Sequence, residues 1–235
     1  LANKFGDDIY ISTIIGNYGG FPPEEESYRN EFDLIDEEFF NFRFDNAYRL
    51  CQKYLQNDNY PRKAQFFYRL GKIYEHDNLI SKANETYLKA VESVYDDRPT
   101  KFQNDAIRKI AKKYNIDYID FFNELYNSGN IVGFNYFTDT IHPSLETHML
   151  LAYDFAEKIS KKHIVKISDK ATIDLNEIKR EYNYNNTDEL KVYMSRIVEL
   201  ETRGSYSYKY NKKIVSDWIE KVKLLAVDEN AKPNS

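Results

Sequence analysis

Two short apolar runs in the chain have the pattern of buried β-strands. Residues 8–15 read DIYISTII, a β-branched run that a Gly-rich segment follows. Residues 116–122 (IDYIDFF) form a second such run, directly after an amphipathic helical pattern at residues 102–114. A helix followed by a strand at this spacing is typical of α/β proteins. The pattern therefore predicts two core strands of an α/β fold.

Between these runs, the apolar positions recur every three and four residues, which is the spacing of helices. The pattern extends from about residue 31 to residue 95, and it predicts separate helices at residues 62–76 and 79–94. In its first part the apolar face is formed by Phe40, Phe44, Ala47, Tyr48, Cys51 and Leu55. We therefore expect a mainly helical insertion at residues 31–98.

One stretch of this insertion resembles a tetratricopeptide repeat, whose period is about 34 residues. The matching positions are Phe67, Leu70, Gly71, Tyr74, Ala83, Tyr87 and Ala90. Small residues at 71 and 83 would let the two helices approach closely, with Tyr74 and Tyr87 filling the space between them. A single repeat cannot bury its faces alone. It must pack on residues 31–58, on the α/β part or on the tail, and a protein partner is a further candidate.

The C-terminal half predicts a loop and then more helices. Residues 127–138 contain two glycines and predict a loop, and Pro143-Ser144 opens a helix that extends to about Lys161, with Ser144 as its N-cap. Residues 165–235 form a polar tail that predicts two or three helices. We expect this tail to be a helical C-terminal extension.

Composition and charge exclude several classes of protein. The net charge of −5 disfavours a nucleic-acid binder, because phosphate backbones attract basic surfaces. No apolar run approaches the ~20 residues that span a bilayer, so we expect no membrane segment in this chain. Cys51 is the only cysteine, and the four histidines do not cluster with it. We therefore expect no metal and no cofactor.

The most informative chemistry lies at residues 137–144, which read FTDTIHPS. A hydrolytic histidine must be held in one tautomer and turned toward its nucleophile, and a carboxylate bonded to the other ring nitrogen achieves both. Asp139 and His142 are three residues apart on a loop that leads into a helix. Pro143 disfavours a helical conformation at His142, so the ring can project from the loop.

This block resembles the last sequence block of the SGNH (GDSL) hydrolases, Asp-x-x-His-Pro. The flanking order of helix, strand, loop, block and helix over residues 102–162 is similar to that family as well. The resemblance implies that His142 is the general base and that Asp139 orients it. It also implies a nucleophilic serine in a Gly-Asp-Ser block near the start of the domain, and an oxyanion hole formed by Gly and Asn of two middle blocks.

This chain departs from the family at the nucleophile, because it contains neither Gly-Asp-Ser nor Gly-x-Ser-x-Gly. It also starts at Leu1, almost directly before a strand pattern. We therefore expect the serine to lie in a missing N-terminal part of a larger enzyme. The chain alone would then be inactive.

Gly16-Asn17 has two interpretations within the resemblance. It could be the Asn block of the oxyanion hole, or a turn after a late strand, where the family places a substrate-facing loop. The second is favoured, because the chain without the insertion is too short between Asn17 and Asp139 for the usual intervening strands. Gly16, Asn17 and Tyr18 are therefore predicted to line the substrate.

The sequence thus predicts an α/β fold, a partial SGNH-like, flavodoxin-like three-layer remnant formed by residues 1–30 and 99–164. The helical insertion at residues 31–98 interrupts it, and the helical extension at residues 165–235 follows. The predicted function is the C-terminal portion of a serine esterase, acyl hydrolase or acyltransferase that acts on a small-molecule or carbohydrate ester. The alternative is a non-catalytic helical-repeat module that binds a protein on a degenerate hydrolase scaffold.

Overall fold

The computed structural model describes residues 8–23, 30–57, 63–94, 96–163, 174–203 and 208–230. The first part of the chain contains β1 (Tyr10–Ser12), α1 (Asn30–Phe40), α2 (Phe44–Leu55), α3 (Ala64–His76) and α4 (Ile80–Glu92). The second part contains α5 (Lys101–Tyr114), β2 (Asp117–Ile119), α6 (Phe121–Tyr126), α7 (Leu145–His163), α8 (Leu175–Glu181), α9 (Asn186–Arg203) and α10 (Tyr208–Asn230). The residues before position 8, including Leu1, lie outside the described residues.

The predicted α/β fold class is wrong. The structure is 67% helix and 4% strand, and its described part contains only two short strands. They pair in parallel, with Tyr10 opposite Asp117 and Ser12 opposite Ile119. A two-stranded sheet cannot form the middle layer of a flavodoxin-like three-layer remnant. The chain is a mainly helical protein in which one short parallel pair is embedded.

The first strand is shorter than its apolar run because side chains replace a neighbouring strand. The N–H of Ile14 donates to the side-chain oxygen of Asn104 in α5 (2.8 Å), and the Asn104 amide donates back to the Ile14 carbonyl (2.7 Å). The hydroxyl of Thr13 accepts the N–H of Phe122 (2.9 Å). These bonds satisfy the backbone without a β-ladder, so β1 ends at Ser12.

The second strand ends early because Asp120 begins a helix. Its carboxylate accepts the N–H of Asn123, as an N-cap does, and α6 follows at Phe121. Arg108 of α5 also donates to both carboxylate oxygens of Asp120, at 2.7 and 3.0 Å. The run IDYIDFF therefore contains three strand residues and then the first turn of a helix.

Helices α1 to α4 form two consecutive antiparallel hairpins with a shared core. One apolar cluster lies between them and includes Phe32, Cys51, Phe66 and Leu70. Within it, Arg69 of α3 donates to both carboxylate oxygens of the buried Asp36 in α1. Helix α3 thus packs on residues 30–55, which correspond to one of the surfaces expected from the sequence, residues 31–58.

The close packing predicted at Gly71 is confirmed. A Cβ built on Gly71 would clash with the ring of Tyr87, which is fully buried in α4. Tyr87 and Tyr68 also belong to a larger apolar cluster with Tyr18, Phe122 and Phe137. This cluster joins the α3–α4 hairpin to residues 15–18 and 119–137. The division of the chain at residues 31–98 stays a prediction.

The C-terminal hairpin of α9 and α10 folds back onto the loop before α7. The ring of Trp218 in α10 contacts Phe134 edge-to-face at 4.7 Å, and the Thr140 hydroxyl donates to Glu199 of α9 (3.1 Å). Within the described ranges, the hydropathy and length of the helices fall short of what a membrane crossing requires.

Candidate functional site

The segment that carries Asp139 and His142 is a tight loop closed by its own backbone. An isolated antiparallel bridge joins Phe137 to Pro143. The N–H and the hydroxyl of Thr138 both donate to the carbonyl of His142, at 2.9 and 3.0 Å. The closure brings the ends of the loop together, so that Asp139 and His142 lie on the same side.

The two side chains form a direct hydrogen bond. Oδ2 of Asp139 lies 2.7 Å from Nδ1 of His142. The other carboxylate oxygen, Oδ1, accepts the backbone N–H groups of Ile141 (2.9 Å) and His142 (2.7 Å). An ionised carboxylate only accepts hydrogen bonds, so Nδ1 is the donor in this pair and Nε2 is left as the acceptor of the neutral ring.

The imidazole is open to solvent, whereas the carboxylate is mostly covered. The side chain of His142 is 71% exposed, and that of Asp139 is 22% exposed. Among the described residues, Asp139 is the only one that bonds the imidazole. Nε2 can therefore receive a group that approaches from outside.

Three donors of the loop keep Asp139 ionised. Burial raises the pKa of Asp139, but hydrogen bonds from the backbone N–H groups of His142 and Ile141 and from the imidazole outweigh it, so that the net pKa is lowered. Asp139 is therefore a carboxylate at neutral pH. It can stabilise an imidazolium when His142 takes up a proton.

Asn17 supports this loop from the protein interior. Its side-chain amide donates to the carbonyl of Asp139 (2.9 Å), and its side-chain oxygen accepts the N–H of Gly20 (2.8 Å). Its backbone N–H donates to the carbonyl of Thr140 (2.9 Å). Asn17 is completely buried, so its side chain positions the Asp139 loop from below.

The neighbours of Asn17 are buried as well. A Cβ on Gly16 would lie 2.9 Å from Pro99, and the hydroxyl of Tyr18 donates to the Pro99 carbonyl (2.7 Å). Burial raises the pKa of Tyr18 well above its usual value. The structure thus brings Asn17 to the Asp139 loop and places Gly16 and Tyr18 in the interior. That these three residues line a substrate stays a prediction.

Two buried arginines of this region were missed by the sequence analysis. Arg98 forms an ion pair with Asp96 (2.6 Å) and donates to the carbonyls of Asn17 and Phe21, both at 2.8 Å. Arg196 of α9 donates to carbonyls of the segment just before Asp139. Arg98 gives no distinctive signal because it follows two aspartates, whereas Arg196 is the one charged residue of the stretch 192–198, and this was the signal available for it.

A cavity of about 250 Å³ lies next to the loop, between α7, α8 and α9. Its walls include Thr138, Ser144, Glu146, Lys179 and Arg196, but not His142. Ser144 also accepts the N–H of Thr147 (3.3 Å), which fits the predicted N-cap of α7. The described residues contain no group of three or more His, Cys, Asp or Glu side chains that could hold a metal ion.

A second Asp–His pair lies far from this loop. Nδ1 of His76 is 3.0 Å from the carboxylate of Asp77, and the ring stacks on Phe44 at 3.6 Å. One ring face of His76 is therefore covered, unlike that of His142. This pair provides a natural control for the chemistry of the first.

The arrangement at residues 139–142 leaves Nε2 of His142 open to accept a proton from an incoming group. No serine hydroxyl in the described ranges contacts the imidazole of His142. The hydroxyl of Ser12 is bonded to a backbone carbonyl, and that of Ser144 to Thr147. Comparisons of the chain with protein-family models, with curated proteins and with solved structures find no match.

Proposed function

We propose that Asp139 and His142 are the acid–base pair of an SGNH-type serine esterase, acyl hydrolase or acyltransferase. The observation that supports this most directly is the 2.7 Å contact between Nδ1 and Oδ2, with Nε2 left open. The serine of this proposal lies in an N-terminal part of the parent protein, outside these residues. The substrate class is a small-molecule or carbohydrate ester.

The geometry suits both proton transfers of such a reaction. Nε2 of His142 takes the proton of the serine hydroxyl while the serine oxygen attacks the ester carbonyl. The imidazolium then gives this proton to the leaving alkoxide, and an acyl-serine remains. In the second half, Nε2 takes a proton from water, or from an acceptor hydroxyl in a transferase, as its oxygen attacks the acyl carbonyl. The imidazolium then gives this proton to the leaving serine oxygen, which releases the acid or the new ester. Asp139 stays ionised and stabilises the imidazolium throughout.

The first test is the reading frame upstream of the codon for Leu1. A Gly-Asp-Ser block followed by a Gly-x-Asn block is the expected finding. An in-frame stop codon, or a start codon at Leu1, would contradict the proposal. The 235-residue chain alone is expected to show negligible esterase activity with p-nitrophenyl acetate.

The second test is labelling of the polypeptide of the complete reading frame with a fluorophosphonate, which reacts with activated serines. His142→Ala is expected to slow labelling at least about 100-fold, because general bases contribute that much or more. His76→Ala is the matched control, since it removes the other Asp-paired histidine. Its labelling is expected to equal that of the wild type. Equal labelling of the wild type and of folded His142→Ala, or none of the wild type, would refute the proposal.

A second candidate function is the binding of a protein by the helical hairpins. It is favoured by Phe42, which lies between α1 and α2 with 81% of its surface exposed and with a positive φ of 58°. The positive φ belongs to the left-handed residue that closes α1, where the N–H of Arg43 donates to the Glu38 carbonyl. The large exposed ring is the feature that favours a contact outside the chain. If Phe42→Ser leaves retention of the chain's binding partners in a pull-down unchanged, this function is contradicted.

A further inference from the structure

Helix α9 holds the segment before Asp139 through a single buried side chain. Arg196 donates from Nε to the carbonyl of Thr138 (2.9 Å) and from Nη2 to the carbonyls of Phe134 (3.0 Å) and Phe137 (2.6 Å). Arg196 is only 8% exposed. A guanidinium is suited to this task because its donors have fixed directions in one plane.

The position of Arg196 is itself fixed by packing. Its guanidinium lies 5.1 Å from the ring centre of Phe134 and 5.9 Å from that of Trp218 in α10. Three residues along α9, Glu199 accepts the hydroxyl of Thr140. The C-terminal hairpin therefore contacts the loop on both sides of Asp139.

We propose that Arg196 is a positioning residue for the Asp139–His142 pair, so that the C-terminal hairpin is a working part of the site. This inference rests on the proposed function for its catalytic meaning. Arg196 acts on the pair through one intermediate residue, Thr138. Thr138, which Arg196 holds by its carbonyl, also closes the loop by donating to the His142 carbonyl. Loss of the three bonds frees the segment before Asp139, and the carboxylate then loses its fixed direction toward Nδ1.

The test uses the 235-residue chain and NMR, so that it does not depend on activity. Two readouts report the pair: the hydrogen exchange of the Ile141 and His142 amides, which donate to Asp139 Oδ1, and the ¹⁵N shifts of the His142 ring, which report its tautomer. His142→Ala assigns the ring signals. Amides of α2, whose apolar cluster contains no residue of the loop, report global opening.

Arg196→Met keeps a long side chain and removes every donor. We expect exchange of the two loop amides to rise at least about tenfold, with α2 exchange unchanged, because hydrogen bonds from charged donors are worth at least that factor. The share of His142 with its proton on Nδ1 is expected to fall. Arg180→Met is the matched control, since Arg180 is an exposed arginine of α8 that bonds within its own helix. It is expected to change neither readout.

Arg196→Lys keeps the charge and the stem but cannot bond three carbonyls in one plane. It is expected to show the same loosening to a smaller degree, and it decides the question if Arg196→Met does not fold. The proposal would be overturned if either folded variant showed the amide exchange rates and the His142 tautomer population of the wild type. Failure of the proposed function would look different: Arg196 would still control the loop, while fluorophosphonate labelling of the complete polypeptide would not depend on His142.

Discussion

Replacement of Asn17 by alanine separates a structural from a substrate-lining role of this residue. The change leaves two backbone groups without partners, the carbonyl of Asp139 and the N–H of Gly20. An unsatisfied buried group costs about 1–3 kcal/mol, so the two together cost about 2–6 kcal/mol. The bond to the Asp139 carbonyl is only partly buried, whereas that from the Gly20 N–H is buried, so the first loss costs less than the second. We therefore expect a loss of about 2–3 kcal/mol in the free energy of unfolding.

The assay is equilibrium unfolding in urea, followed by the fluorescence of Trp218. This residue is the only tryptophan of the chain, and it contacts Phe134 in the loop region. Asn127→Ala is the matched control, because the Asn127 side chain makes one exposed bond within its own turn. A loss of less than about 0.5 kcal/mol for Asn17→Ala, no larger than that of an ordinary surface change, would refute the structural role.

Three further predictions concern packing, pH and thiol reactivity. Gly71→Ala is expected to cost about 1–3 kcal/mol in urea unfolding, because its Cβ would meet the Tyr87 ring; Gly133→Ala, whose Cβ meets nothing nearer than 3.4 Å, should cost less. The lowered pKa of Asp139 adds stability that is present above its unfolded pKa of about 4 and is lost as the pH falls through the lower folded value. The difference in unfolding free energy between wild type and Asp139→Asn should therefore shrink below about pH 4, and a constant difference would contradict this. Burial raises the pKa of the Cys51 thiol to about 12, so a disulfide reagent at neutral pH should react with it only when urea unfolds the chain; rapid reaction of the native protein would contradict this.

Helices could be predicted from this sequence because their signal is local. The predicted helices at residues 62–76, 79–94 and 102–114 agree within two residues with α3, α4 and α5. Of the apolar face predicted before Asn57, Ala47 and Cys51 are buried, whereas Tyr48 is 38% exposed. Periodicity is sufficient here because an amphipathic helix must bury one face, whatever it packs against.

The strands, and with them the fold class, could not be predicted in this way. A β-branched run shows that a segment is buried, but not whether a neighbouring strand exists to pair with it. At Ile14, the amide of Asn104 takes the place of such a strand. That contact joins residues 90 positions apart, and no pattern within either segment indicates it.

The candidate site divides in the same way into a local and a non-local part. The pairing of Asp139 with His142 follows from three residues of spacing and the closure of one loop. The hydrogen bonds that hold that loop come from residues distant in sequence, Asn17 and Arg196. Five carbonyls around the pair accept hydrogen bonds from Asn17 or Arg196, and they belong to Phe134, Phe137, Thr138, Asp139 and Thr140.

These five hydrogen bonds on the inner side of the loop explain how the exposed imidazole can keep a fixed direction. A loop residue that is mostly in solvent gains little from packing, and its ordering costs backbone and side-chain entropy. Here the loop is ordered by hydrogen bonds from two buried residues, Asn17 and Arg196. Nε2 of His142 lies on the opposite, exposed side. A histidine that merely capped a helix would require neither support. Under the proposed function, Nε2 faces the incoming serine hydroxyl, and the bonds from α9 make the C-terminal hairpin part of the site.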